Sequence, residues 1–83
     1  MEEPAIPAAT LVVMREVQTG GPPELLMVTR PATMAFAGGA MVFPGGRVDA
    51  ADRDLGAGWG EDGPFRAAAM RETLEEAGIP VGL

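Results

Sequence analysis

Residues 64–77 (PFRAAAMRETLEEA) constrain the architecture more tightly than any other part of the chain. Pro64 suits the start of a helix, where its missing N–H would have no partner in any case. Gly78 fits the left-handed position that closes a helix, and Pro80 blocks continuation. A helix is therefore expected over 64–77. Upstream the pattern changes to β-branched and aliphatic runs cut by Gly and Pro. Residues 8–17 (AATLVVMREV) read as a strand, 18–23 (QTGGPP) as a turn and 24–30 (ELLMVTR) as a second strand. The short connection predicts an antiparallel pair. Pro31 stops the second strand, 32–39 read as a loop, and 40–43 as a short buried strand entering a Pro44-Gly45-Gly46 turn. Residues 49–63 are acidic and Gly-rich around Trp59 and are expected to form a loop, while 81–83 look like the opening of another strand. The expected class is α/β.

Eighty-three residues make one small domain at most. A chain of this size buries only roughly 60–65% of the surface its unfolded form exposes. Gly and Pro total 20, but the aliphatic clusters argue for order. Twelve acids face six arginines with no lysine, for a net charge of −6, so no basic face for nucleic acid is visible. Without Cys or His, disulfides, thiolate and imidazole metal sites, and Ser-His or Cys-His catalysis are excluded. Chemistry must then run on carboxylates, hydroxyls, arginine and a metal ion. The acidic start, Met1-Glu2-Glu3-Pro4, lacks the basic region of a signal peptide. The longest uncharged run, 31–46, is shorter and more broken than the ~18–20 apolar residues that span a bilayer. A soluble, cytoplasmic protein with no membrane partner is expected.

On the expected helix, Glu72, Glu75 and Glu76 share an arc of roughly 100°. Met70, Leu74, Ala77 and Ala67 fall opposite and are expected to pack. Three such carboxylates repel by about 0.2–0.5 kcal/mol per pair. They also stand in the helix's C-terminal half, where its dipole disfavours anions. Only Arg71, four residues before Glu75, offers local compensation. Taken alone, the cluster also fits an ordinary solvated face. A hard divalent cation gives it a reason, since Mg²⁺ takes carboxylate oxygens together with substrate phosphates.

Phe43-Pro44-Gly45-Gly46 followed by Arg71-Glu72-Thr73-Leu74-Glu75-Glu76-Ala77-Gly78-Ile79 resembles the Nudix hydrolase box, G-x5-E-x7-R-E-U-x-E-E-x-G-U with U a bulky aliphatic. The second half matches at Arg71, Glu72, Glu75, Glu76, Gly78 and Ile79, with Thr73 in place of the aliphatic. The first half departs from the pattern. Between Gly46 and Arg71 lie 24 residues, about 11 more than the box holds, and Gly63 occupies the place of its first glutamate. Glu61 and Asp62 are neighbouring substitutes. The insertion, preceded by R-P-x-x-M-x-F-x-G-G-x-x-V-F-P-G-G and followed by V-D-x-A-D, is similar to a branch that includes coenzyme A diphosphatases.

The resemblance implies a Nudix-type α/β/α sandwich around a mixed sheet, of which residues 1–83 supply the N-terminal part with the catalytic helix, and 49–63 an insertion inside the box. A fragment of this kind leaves unpaired sheet edges, a setting for self-association as a homodimer. The implied activity is Mg²⁺- or Mn²⁺-dependent hydrolysis of a diphosphate in a nucleoside-diphosphate-linked small molecule, with coenzyme A or acyl-coenzyme A the first choice. ADP-ribose, dinucleotide diphosphates and modified nucleoside triphosphates stay open. By the same resemblance Glu72, Glu75 and Glu76 are metal ligands, together with a backbone carbonyl of the Gly45-Gly46 turn, that of Gly46. Arg71 holds Glu75 ready, and Glu72 or Glu76 is the candidate base. Arg30, Arg47 and Phe36 are candidate substrate contacts, against which a solvated strand end is the plainer role for Arg30. Phe36 and Trp59 suit either stacking or packing, and Asp49 and Asp52 suit capping or turning. Met27, Met34 and Met41 read as core filler. Two rival functions are a Nudix-fold nucleotide-binding module and a non-catalytic fragment.

Overall fold

The computed structural model describes residues 6–33 and 38–82. Six short strands precede two helices: β1 (Ala8–Thr10), β2 (Met14–Arg15), β3 (Glu24–Leu25), β4 (Val28–Thr29), β5 (Met41–Val42), β6 (Gly45–Arg47), α1 (Ala50–Gly56) and α2 (Gly63–Ala77). Among the described residues every ladder is antiparallel, joining β1 to β6, β2 to β3 and β4 to β5. The expected strand at 8–17 is therefore two strands, because the chain changes partner along it. Ala8–Thr10 lie opposite Arg47–Gly45, whereas Met14 and Arg15 lie opposite Leu25 and Glu24. The expected strand at 24–30 divides for the same reason, β3 facing β2 and β4 facing β5. The antiparallel hairpin between them is present, and Gly20 turns it with φ of 81°.

Two expectations are corrected. Gly45-Gly46 is not a turn but the start of strand β6, paired with Thr10 and Ala9. Glycine is required there by close approach: a Cβ on Gly45 would strike the Ala9 carbonyl and sit 2.8 Å from Thr10 Cα. Residues 49–63 are not a continuous loop either, since 50–56 form α1. Asp49 is its N-cap, and a capping box closes in both directions: Asp52 N–H donates to Asp49 Oδ1 at 3.2 Å, and Asp49 N–H donates to Asp52 Oδ2 at 2.9 Å. At the other end 81–82 form a turn and no strand.

Helix α2 runs as expected, beginning one residue earlier at Gly63 and closing at Gly78 with φ of 70° and an N–H to Leu74 carbonyl bond of 2.9 Å. Its packing differs from the expected stripe. Ala67, Ala68 and Ala69 are all buried, although consecutive residues point 100° apart. That pattern requires cover on more than one side, and α2 lies between α1 and the β1–β6 ladder. Small residues allow this close approach. Of the expected stripe only Ala67 is buried; Met70 and Ala77 are half-buried, and Leu74 is 41% exposed. Thr73, standing where the pattern has an aliphatic, is fully buried and donates its hydroxyl to the Ala69 carbonyl at 2.7 Å. Its polar atom is satisfied within the helix, so the core accepts it. No helix among the described residues is long and apolar enough to cross a membrane.

Candidate functional site

The acidic face of α2 does not stand free in solvent. Glu72 and Glu76, four residues apart and so on one face of α2, both meet β6. A Cβ on Gly46 would lie 2.5 Å from Glu72 Cδ and 2.6 Å from its Oε1, so glycine is what allows the Glu72 carboxylate to lie on the strand. Beside it, the Gly45 N–H donates to Glu76 Oε1 at 3.2 Å. The turn-proximal glycines and the glutamates expected to act together are thus brought together.

Arg71 organises the other edge. Its Nε and Nη2 donate to Asp52 Oδ1 and Oδ2, each at 2.9 Å, in the paired geometry that a guanidinium and a carboxylate share. Nη2 also donates to the Arg47 carbonyl at 3.1 Å and lies 3.3 Å from Asp49 Oδ2. The remaining nitrogen, Nη1, donates to Glu72 Oε1 and Glu75 Oε2, both at 3.0 Å. One cation therefore bridges four carboxylates from two helices.

The electrostatics follow from this geometry. Arg71's hydrogen bonds hold the Asp52 carboxyl below the usual carboxylate range, against the opposing effect of burial. The same partners, Asp52 foremost, hold the guanidinium more firmly protonated. Burial pushes Glu72 up; Arg71 pulls the other way, while a Glu76 carboxyl within hydrogen-bonding reach and the charge of Glu75 add to the rise. Glu72 and Glu76 are two approaching carboxylates, one desolvated, at the anion-disfavouring end of a helix. As donors they fit a hard cation. Glu75 is turned to Arg71, and among the described residues no three acidic groups stand ready around one point. Its side chain is 57% exposed, so a change of rotamer is open to it.

Among the candidate substrate contacts, Arg30 follows β4 with its backbone bonded to Ala40 and Gly39, far along the chain from the glutamates. Arg47 reaches the site through its carbonyl. Phe36 lies outside the described residues. Trp59 lies beside Gly63 at the junction of the two helices, where it is 39% exposed. Asp52 had been legible only as a capping or turning residue, and its bond to Arg71 was missed. The Asp49-x-x-Asp52 spacing is the signal that marks the cap and thus the helix that carries it.

A NUDIX domain profile matches residues 5–83. A Caenorhabditis elegans protein, "Putative nudix hydrolase 7", is 46% identical over 56 residues, covering 68% of this chain and 17% of that protein. The crystal structure of a NUDIX hydrolase from Alicyclobacillus acidocaldarius aligns with a TM-score of 0.78 and 35% identity, over 92% of this chain and 38% of the other. The chain therefore spans well under half the length of these relatives, and its fold is that of a partial domain of the same kind.

Proposed function

Because the chain belongs to the NUDIX domain family, we propose that it serves in metal-dependent hydrolysis of a diphosphate bond, with Glu72, Glu75, Glu76 and the Gly46 carbonyl as the cation's ligands. The observation that carries this reading is the Glu72–Glu76 approach against β6, where burial raises Glu72 and Arg71 pulls the other way. A divalent cation, Mg²⁺ or Mn²⁺, would offset the charge of these carboxylates and of the diphosphate together. Arg71 keeps Glu72 and Glu75 oriented until they are needed. Glu72 and Glu76 are the two candidates for taking a proton from the attacking water, both carried on a rigid helix braced by a strand.

For the substrate we propose a nucleoside-diphosphate-linked small molecule, coenzyme A or an acyl-coenzyme A first, on the expanded segment between Gly46 and Arg71 and the motif that precedes it. A nucleotide-binding module without turnover is the second reading, favoured by Glu75's engagement with Arg71. ³¹P NMR of coenzyme A, ADP-ribose and a dinucleotide diphosphate, each incubated with the protein and Mg²⁺ or Mn²⁺, separates them. Product signals that vanish with EDTA and in Glu76→Gln support hydrolysis. Binding that survives EDTA with no product supports the module. Unchanged turnover in Glu72→Gln, Glu75→Gln and Glu76→Gln overturns the site.

A further inference from the structure

The phase of the β1–β6 ladder decides which way each peptide group of β6 faces. Leu11 N–H donates to the Pro44 carbonyl and Val48 N–H to the Pro7 carbonyl, each at 2.9 Å, so both of these opposed pairs are hydrogen-bonded. In an antiparallel ladder, opposed pairs alternate between those that exchange bonds and those that do not. Thr10 opposite Gly45 lies one step from Leu11 and Pro44, and Ala8 opposite Arg47 lies one step from Pro7 and Val48. Neither pair exchanges bonds, so Gly45 and Arg47 present their N–H and carbonyl groups along the other edge of β6. Two bonds show that this edge faces α2. Gly45 N–H donates to Glu76 Oε1 at 3.2 Å, and Arg71 Nη2 donates to the Arg47 carbonyl at 3.1 Å. Only glycine brings the donor there in this register, since a Cβ at 45 would strike the Ala9 carbonyl.

We propose that the Gly45 N–H is a positioning group that fixes the rotamer of Glu76 by holding Oε1, leaving Oε2 as the oxygen offered to the cation. The inference rests on Glu76 facing a cation, as above, and deepens that reading by giving the backbone of β6 a part in aiming the ligand. A backbone donor in a ladder has no rotamer of its own, so Glu76 is ordered before a cation arrives.

The test uses two backbone esters in the full chain, made by chemical synthesis. An ester at Pro44–Gly45 removes the Gly45 N–H and also weakens the Pro44 carbonyl as the acceptor for Leu11. An ester at Thr10–Leu11 removes the Leu11 N–H, and so breaks the same ladder bond while leaving Gly45 intact. Two readouts are taken on the folded chain: Mn²⁺ affinity by titration, and hydrogen exchange of the Gly45 N–H without metal. In wild type that N–H is expected to exchange about tenfold more slowly than in Glu76→Ala, the scale of one bond to a charged acceptor. Glu76→Gln, which keeps an oxygen to accept it, should retain protection. The Pro44–Gly45 ester is expected to bind Mn²⁺ about tenfold more weakly, and the Thr10–Leu11 ester within about twofold of wild type. Equal affinity of the two esters, or Gly45 exchange that Glu76→Ala leaves unchanged, would overturn the proposal. If wild type binds no Mn²⁺, the cation reading fails and the exchange comparison decides this one. Should the Pro44–Gly45 ester lose the fold, Glu76→Asp, which keeps the charge but is a methylene short of Gly45, takes its place. Protection and affinity lost together then support the proposal, and either one retained overturns it.

Discussion

At Glu72, burial beside Glu76 works against folding, because a desolvated carboxylate with an anionic neighbour holds its proton more tightly than an unfolded one does. The sign follows from that rise. Glu72's contribution is most favourable below the ordinary carboxylate value and is lost as pH climbs through its higher folded value. Glu72→Gln keeps the shape and an acceptor for Arg71 while removing the charge. It should therefore raise stability near pH 7 by about 0.5–1 kcal/mol, the range typical of relieving a functional strain, with the gain fading below pH ~4. Thermal melts across pH check this, and a destabilised Glu72→Gln at neutral pH would contradict it. Asp52 has the opposite sign. Its lowered folded value gives stability that is full above the ordinary carboxylate range and lost as pH falls through and below it. Asp52→Asn should cost about 2–3 kcal/mol at pH 7, less than a wholly buried pair because Arg71 is partly exposed. That cost should shrink in acid. Urea unfolding at pH 7 and pH 3 measures both.

Between elements, the glycines set how closely the helices and strands approach, and two of them predict different failures. Gly63→Ala forces a Cβ into the Gly56 backbone, which cannot step aside, so the α1–α2 crossing must open. A loss of about 1–3 kcal/mol is expected, as for overpacked cores. In Gly46→Ala the atoms nearest the added Cβ all belong to the Glu72 side chain, which can give way where backbone cannot. Stability should hardly change while Mn²⁺ affinity falls severalfold; a matched loss of both would show that β6 is only structural. The same contrasts explain what could be read beforehand. The span of α2 is legible because Pro64 and Gly78 mark it locally, and so is an antiparallel pair across the Gly-rich turn, though not its register. Helix α1 was not, since a seven-residue segment between glycines has a weak helical signal, although the Asp49–Asp52 spacing was there to be used. Side-chain bulk points to Met70 and Leu74 as the packing face of α2, whereas close approach on two sides selects Ala67–Ala69 and Thr73. The breaks in the strands depend on which partner each half meets, and no local pattern encodes that.

For the whole molecule, α2 is held between a strand that carries glycines and a helix that carries Asp52, so its acidic face is fixed from both sides before any ligand arrives. This arrangement brings Glu72 and Glu76 together on β6 and leaves the exposed Glu75 on Arg71, and the proposed cation would offset the charge gathered there. The relatives are longer chains, of which this one spans 17% and 38%. The proposed cation ligands all lie on β6 and α2. The decisive measurement is therefore a Mn²⁺ titration of residues 1–83 by electron paramagnetic resonance, alongside Glu72→Gln and Glu76→Gln. The account predicts that the folded wild type depletes the free Mn²⁺ signal and that each variant weakens binding about tenfold or more. Equal binding by all three folded proteins, or none by wild type, would contradict it.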